Sequence, residues 1–124
     1  MSAPVARILV VDDHEPNVML LERLLGRDGH AVHSVSSLAG AEQALAKERP
    51  AMIVLDLNLP DGSGLGLARR LKADPLTASI PIVACTAAVA ASDEASALEA
   101  GCDAFVAKPV DLQRFSGLIA SLLS

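Results

Sequence analysis

Short apolar runs alternate with segments of helical periodicity five times along the chain, and this alternation constrains the fold more than any other feature. The apolar runs predict strands over residues 7–12, 31–35, 52–56, 80–85 and 103–107. The periodic segments predict helices over residues 15–27, 38–48, 64–73, 92–100 and 112–123. Repeated strand–helix units favour an α/β fold in which a parallel sheet is covered by helices on both faces.

Length and composition limit both the architecture and the class of function. The 124 residues are enough for one domain with a single core, so we expect residues 1–124 to form one unit. Two Phe, no Trp, no Tyr and a net charge of −5 argue against direct nucleic-acid binding. The chain shows neither a signal peptide nor a membrane span, and its two cysteines are expected to be reduced, so a cytoplasmic location is predicted.

Polar residues follow four of the predicted strands, at the edge where this kind of fold builds its sites. They are Asp12, Asp13, Asp56, Thr86 and Lys108. Three neighbouring carboxylates repel one another, and oxygen ligands of this kind suit a hard cation such as Mg²⁺. An ammonium and a hydroxyl are groups that hold phosphoryl oxygens. The pattern therefore indicates a magnesium-dependent phosphoryl site, with Asp56 as a candidate nucleophile.

Less specific roles remain open for the same residues. Asp56 could simply cap the helix that follows it, and Asp12 or Asp13 could cap the helix near residue 15. Thr86 alone is typical of a turn, and Phe105 is compatible with an ordinary core position.

The chain resembles the receiver domain of bacterial two-component response regulators over essentially its whole length. The resemblance depends on the Asp12-Asp13 pair, Asp56 before Leu-Asn-Leu-Pro-Asp-Gly, Thr86 after the fourth strand, and the Phe105-Val-Ala-Lys108-Pro109 segment. It implies a flavodoxin-like, doubly wound sheet of five parallel strands in the order 2-1-3-4-5, with five helices.

The resemblance also assigns roles to individual residues. It implies that Asp56 accepts a phosphoryl group and that Thr86 and Lys108 hold the phosphoryl oxygens. The metal set would be Asp12 (through a water), Asp13, Asp56 and the backbone carbonyl of Asn58, with Mg²⁺ as the ion. The expected switch residues are Thr86, Phe105 and Pro109, the last through a cis Lys108–Pro109 bond.

The implied partners are a histidine kinase or histidine phosphotransfer protein and a downstream protein effector, with a phosphorylation-dependent dimer left open. An origin in a larger kinase, cyclase or transcription factor is the alternative to a stand-alone regulator, which the Met1 start favours. A phosphatase that turns over a separate substrate is disfavoured, because Asn58 stands where such enzymes need an acid. A phosphorylation-independent binding module is disfavoured too, and the small Ala88 leaves the phosphoryl lifetime open.

Overall fold

The computed structural model describes residues 6–87 and 91–123, and it confirms the predicted alternation. The strands are β1 (Arg7–Val11), β2 (Ala31–Val35), β3 (Met52–Leu55), β4 (Asn58–Leu59), β5 (Gly62–Ser63), β6 (Ile82–Thr86) and β7 (Ala104–Ala107). The helices are α1 (Glu15–Arg27), α2 (Leu38–Lys47), α3 (Gly64–Ala73), α4 (Ala91–Glu99) and α5 (Leu112–Leu123).

The central sheet contains five parallel strands in the order β2-β1-β3-β6-β7. This is the predicted order 2-1-3-4-5 once the two-residue strands β4 and β5 are left out of the count. Strand β1 pairs with β2 on one side and with β3 on the other, so the strand order reverses beside β1. In doubly wound sheets, ligands bind outside the carboxyl ends of the strands at such a point.

Alternate residues of the strands point to opposite faces, and each face has its own core. One core lies under α2, α3 and α4 and includes Leu9, Ile53 and Ile82. The other lies under α1 and α5 and includes Val10 and Val54. Strands buried on both faces account for the continuous apolar runs in the sequence.

Local sequence sets the ends of several helices. The hydroxyl of Ser37 accepts the amide of Gly40 at the start of α2, and the hydroxyl of Ser63 accepts the amide of Leu65 at the start of α3. Gly101 follows α4 with a φ of +102°, a conformation that favours glycine.

The structure differs from the sequence prediction at a few boundaries. Thr86 belongs to β6 itself instead of following it, and β6 begins at Ile82, directly after Pro81. The turn after Asp56 forms a short antiparallel hairpin, in which Asn58 pairs with Ser63. Two-residue strands carry too little periodicity to be predicted from sequence.

Two further features of the described part of the chain are the state of its cysteines and the character of its helices. Cys85 and Cys102 are both free and buried, as predicted. Among the described helices, none has the length and apolar character needed to cross a lipid bilayer.

Candidate functional site

Three carboxyl groups meet just beyond the ends of β1 and β3. The two strands are in register, with Val11 opposite Leu55, so Asp12 and Asp56 emerge side by side. Carboxylate oxygens of these two residues and of Asp13 all lie within 4.8 Å of one another. Asp12 and Asp56 are only 3% and 5% exposed, whereas Asp13 faces solvent. The sheet therefore brings together the three acids that the sequence singled out.

Lys108 reaches this cluster from the end of β7. Its Nζ lies 3.0 Å from Oδ2 of Asp12 and 2.9 Å from Oδ2 of Asp56. Burial by itself lowers the pKa of Lys108, but the hydrogen bonds and charges of Asp56 and Asp12 raise it above the ordinary value. One ammonium thus faces three carboxyl groups, an arrangement that favours a further cation.

Backbone and side-chain donors hold the two buried carboxylates in place. Asp12 accepts the amide of His14 at 2.8 Å and the side-chain Nδ2 of Asn17 at 2.7 Å. Asp56 accepts the amide of Asn58 at 3.0 Å. The helix-cap alternatives are not realised, because the N-cap of α1 is His14 and that of α3 is Ser63.

Thr86 and Asn58 form the side of the site next to β6. Thr86 is fully buried at the end of its strand, and its Oγ1 accepts Nδ2 of Asn58 at 3.3 Å. The backbone amide of Lys108 donates to the Thr86 carbonyl at 2.9 Å, which ties the ends of β6 and β7 together. Thr86 and Lys108 therefore lie at the ends of neighbouring strands on the same side of β3.

The start of α3 packs closely against the backbone of Asp56. A Cβ atom placed on Gly64 would lie 2.5 Å from the Asp56 carbonyl oxygen and 3.1 Å from the Leu55 side chain. Only glycine fits such a close approach. The start of α3 therefore packs directly against the backbone that carries Asp56.

A cleft of about 600 Å³ opens beside the acids. It is lined by Pro16 and Leu20 of α1, by Lys108 and Pro109 after β7, and by Asp56. Asp56 therefore borders a cleft that is large enough for a small molecule.

The remaining predicted residues lie near the site or outside the described ranges. Phe105 is partly buried against the core beneath α4, and the Lys108–Pro109 peptide bond is cis, as predicted. Ala88 lies outside the described residues.

Sequence reasoning missed Asn17 and Asp61. Asn17 follows the acid pair by one helical turn, and this spacing could have indicated that its side chain points back to the strand end. Asp61 accepts the amides of Leu38 and Ala39 at the start of α2, which lowers the pKa of its carboxyl group.

The donor set suits a small, hard divalent cation. Carboxylate oxygens are the ligands that Mg²⁺ prefers, and His and Cys side chains, which favour zinc, are absent from the three-acid group of the described residues. The buried ammonium and hydroxyl beside these acids are suited to holding phosphoryl oxygens.

Comparison with known proteins agrees with this geometry. The family model described as the response regulator receiver domain matches residues 8–120, and the chain belongs to this family, whose members act as phosphoacceptors in two-component signalling.

The relatives differ in how much of their own length this chain matches. Response regulator PleD of Caulobacter vibrioides is 41% identical over 86% of this chain, but the match covers only 23% of PleD. The polar-differentiation response regulator DivK of Brucella anthropi is 32% identical over 94% of both chains. The chain thus spans less than a quarter of one relative and nearly all of another.

A solved structure shares the fold and carries a metal in its own active-site cleft. It is the receiver domain of sensor histidine kinase PA1611 from Pseudomonas aeruginosa, with a magnesium ion coordinated in its active-site cleft. The TM-score is 0.86 at 26% identity, and the match covers 97% of this chain and 98% of that one.

Proposed function

We propose that Asp56 is the phosphoacceptor of this receiver and that residues 1–124 form one receiver domain. The observation that carries the proposal is the position of Lys108, whose Nζ bridges Asp12 and Asp56 within a cluster of three acids. The Lys108 ammonium touches Asp56 directly, so it lies where the negative charge of a phosphoryl group on Asp56 would develop. An ammonium in that position would stabilise this charge.

Asp12, Asp13, Asp56 and the Asn58 carbonyl are the proposed ligands of Mg²⁺, with Asp12 acting through a bound water. Support comes from the oxygen-only donors, their mutual distances and the shortage of positive charge around them. When bound, the ion neutralises charge on the phosphoryl group and orients it toward the nucleophile.

A carboxylate oxygen of Asp56 attacks phosphorus, and the bond between phosphorus and the donor nitrogen breaks as the new P–O bond forms. The departing imidazole of a phosphohistidine keeps the electron pair of the broken bond and takes up a proton. Lys108 leaves Asp56 to bind one phosphoryl oxygen, and the Thr86 hydroxyl donates to another. The residues of the chain act mainly by positioning and by charge.

The proposed switch begins at Thr86. Its Oγ1 accepts Nδ2 of Asn58 at 3.3 Å, and its O–H is proposed to turn toward a phosphoryl oxygen once Asp56 is modified. Phe105 is only partly buried on the neighbouring strand, so it has room to repack when Thr86 moves. Pro109, which follows Lys108 through a cis peptide bond, is the third proposed switch residue. A two-state shift of this region would alter the surface formed by α4, β7 and α5.

The phosphodonor is proposed to be a histidine kinase or a histidine phosphotransfer protein in the cytoplasm. The readout is proposed to be binding of a downstream protein effector, with a phosphorylation-dependent dimer as one form of output. The chain is not proposed to turn over a separate substrate, because Asn58 cannot shuttle a proton as an acid at that position would.

The test is phosphorylation by a small acyl phosphate in the presence of Mg²⁺, followed by intact mass spectrometry. We expect one added phosphoryl group that is lost on treatment with hydroxylamine, because an acyl phosphate is labile to that nucleophile. Asp56→Asn should remain unmodified. Omission of Mg²⁺ should reduce the yield strongly, since the carboxylates would then repel the donor.

Asp61→Asn is the matched control, because it removes a carboxylate from the same edge of the sheet without touching the acid cluster. This variant should be phosphorylated like the wild type. Modification of Asp56→Asn at the wild-type level, or an unmodified wild type with donor, metal and a cognate kinase, would contradict the proposal.

A further inference from the structure

We propose that Asn17 is a positioning residue that holds the Asp12 carboxylate in its metal-binding orientation, an inference that rests on the proposed function. Asn17 lies in the first turn of α1 and is only 6% exposed. Its Nδ2 donates to Oδ2 of Asp12 at 2.7 Å, shorter than either contact of Lys108 with Asp12. A buried amide so placed has Asp12 as its partner within the site.

The two oxygens of Asp12 are held in the same way. Oδ1 accepts the His14 amide at 2.8 Å, and Oδ2 accepts Asn17 at 2.7 Å. Lys108 contacts both oxygens, at 3.1 Å and 3.0 Å. The His14 and Asn17 donors, one on each oxygen, fix the plane of the carboxylate. The side of the carboxylate that faces Lys108 remains available to a ligand that replaces the ammonium.

The importance of Asn17 increases when Lys108 moves. In the proposed reaction Lys108 turns toward the phosphoryl group. The buried Asp12 carboxylate then loses its direct ion pair, because it would face Mg²⁺ only through a water. A buried charge without hydrogen bonds is costly, so the remaining donors must hold it. An amide does this without a positive charge, and it therefore does not repel Mg²⁺ as a second lysine would.

The test compares Asn17→Leu, which keeps the shape but removes the donor, with Thr77→Val. Thr77 is buried in the loop after α3, and its hydroxyl donates to the Leu71 carbonyl at 2.6 Å. Thr77→Val therefore also removes one buried hydrogen bond, but outside the acid cluster. Affinity for Mn²⁺, a spectroscopic substitute for Mg²⁺, is measured by electron paramagnetic resonance of the free ion well below the melting temperature.

Asn17→Leu should bind Mn²⁺ about 10-fold more weakly, because groups that orient metal ligands typically carry effects of that size. Thr77→Val should retain wild-type affinity for Mn²⁺, even if its melting temperature falls as much as that of Asn17→Leu. The Mg²⁺ concentration for half-maximal phosphorylation of Asn17→Leu should rise in parallel, and excess Mg²⁺ should restore most of the rate. A purely structural role for Asn17 would lower the melting temperature and leave these metal dependences unchanged.

Wild-type affinity in Asn17→Leu would overturn the inference while leaving the proposed function intact. Failure of the wild type to bind Mn²⁺ and to accept phosphate would instead overturn both. The two failures are thus distinguishable, because the first appears only in the variant.

A measurement on the wild type covers the case in which Asn17→Leu does not fold. The chain contains two asparagines, Asn17 and Asn58, and two glutamines, so only four side-chain amides have to be assigned in a ¹⁵N spectrum. During an Mg²⁺ titration, the Asn17 amide should shift with the same midpoint as the backbone amide of Asn58. An unmoved Asn17 resonance beside a shifting Asn58 amide would overturn the inference.

Discussion

Two lysines lie at opposite ends of the parallel strands and are paired with carboxylates. The net charge around them differs. Lys72, at the edge where β6 and β7 begin, donates to the carbonyls of Ala78 and Ile80 and to Asp103 at 2.9–3.2 Å. Lys108, at the opposite edge, contacts two carboxylates and has a third beside them. Both lysines hold strand ends together.

The comparison separates a charge-balanced ion pair from a cluster with excess negative charge. Asp103 also accepts the amide of Ile82 at 2.8 Å, so the Lys72 cluster balances one ammonium with one carboxylate and satisfies the strand ends. At the other edge, among the described residues, Asp13 has no ion pair. Excess negative charge, rather than the presence of a buried lysine, therefore marks the functional edge.

The largest expected effect comes from replacing each lysine by methionine, which keeps the aliphatic stem. Lys108→Met should lower the free energy of unfolding of the metal-free protein by about 3 kcal/mol, because two buried carboxylates lose their cationic partner. Lys72→Met should cost about 2 kcal/mol through the loss of its hydrogen bonds. Urea denaturation with and without saturating Mg²⁺ measures both.

Magnesium should affect the two variants differently. The deficit of Lys108→Met should shrink with Mg²⁺, because the ion binds more tightly once the competing ammonium is gone, and tighter binding stabilises the folded state. The deficit of Lys72→Met should stay constant. If Mg²⁺ reduced the stability deficits of both variants equally, the two lysine sites would not differ in the proposed way.

A smaller effect is expected from Asp13→Asn, which removes one of the like charges. The metal-free protein should gain up to about 1 kcal/mol, since the residue is exposed and its repulsion is screened by solvent. Affinity for Mg²⁺ should fall, because a ligand is lost. In the Lys108→Met background the gain should be larger. A stability loss on Asp13→Asn in the absence of metal would show that the acids do not repel one another.

The smallest effect concerns Asp61, whose charge is balanced by backbone amides at the start of α2 instead of by a lysine. Its folded-state pKa is lowered from 3.8 by hydrogen bonds from Leu38 and Ala39. The carboxylate therefore contributes stability above pH 3.8, and the contribution is lost as the pH falls through the lowered value. The stability difference between wild type and Asp61→Asn should be constant near neutral pH and should narrow in acid.

Ser37→Ala is the control for this pH dependence, because it removes an uncharged cap from the same helix. Its stability deficit should not vary with pH over the range in which Asp61 titrates. A deficit of Asp61→Asn that widens in acid would contradict the assigned cause of the pKa shift.

The fold and the main site residues could be predicted from the sequence because both follow from patterns along the chain. Buried strands produce continuous apolar runs, and residues such as Asp12 and Asp56 directly follow them. The residue pattern indicated a magnesium-dependent phosphoryl site, whereas the strand order and the detailed role of each residue were implied by the resemblance to receiver domains. The order is confirmed, whereas the roles of individual residues stay predictions.

Contacts that depend on three-dimensional distance could not be predicted. The bond from Asn17 to Asp12 joins a helix to a strand end, and the two bonds of Asp61 reach helix α2 from a hairpin more than 20 positions further along the chain. The hairpin was missed because its strands have two residues each. Such contacts leave no periodic signal in the sequence.

The glycine at position 64 links helix packing to the geometry of the acid cluster. The α3 backbone lies so close to the Asp56 carbonyl oxygen that a Cβ atom at position 64 would come within 2.5 Å of it. Any larger residue there would displace either the start of α3 or the backbone that carries Asp56. Position 64 therefore constrains the acid cluster, although glycine contributes no side chain to it.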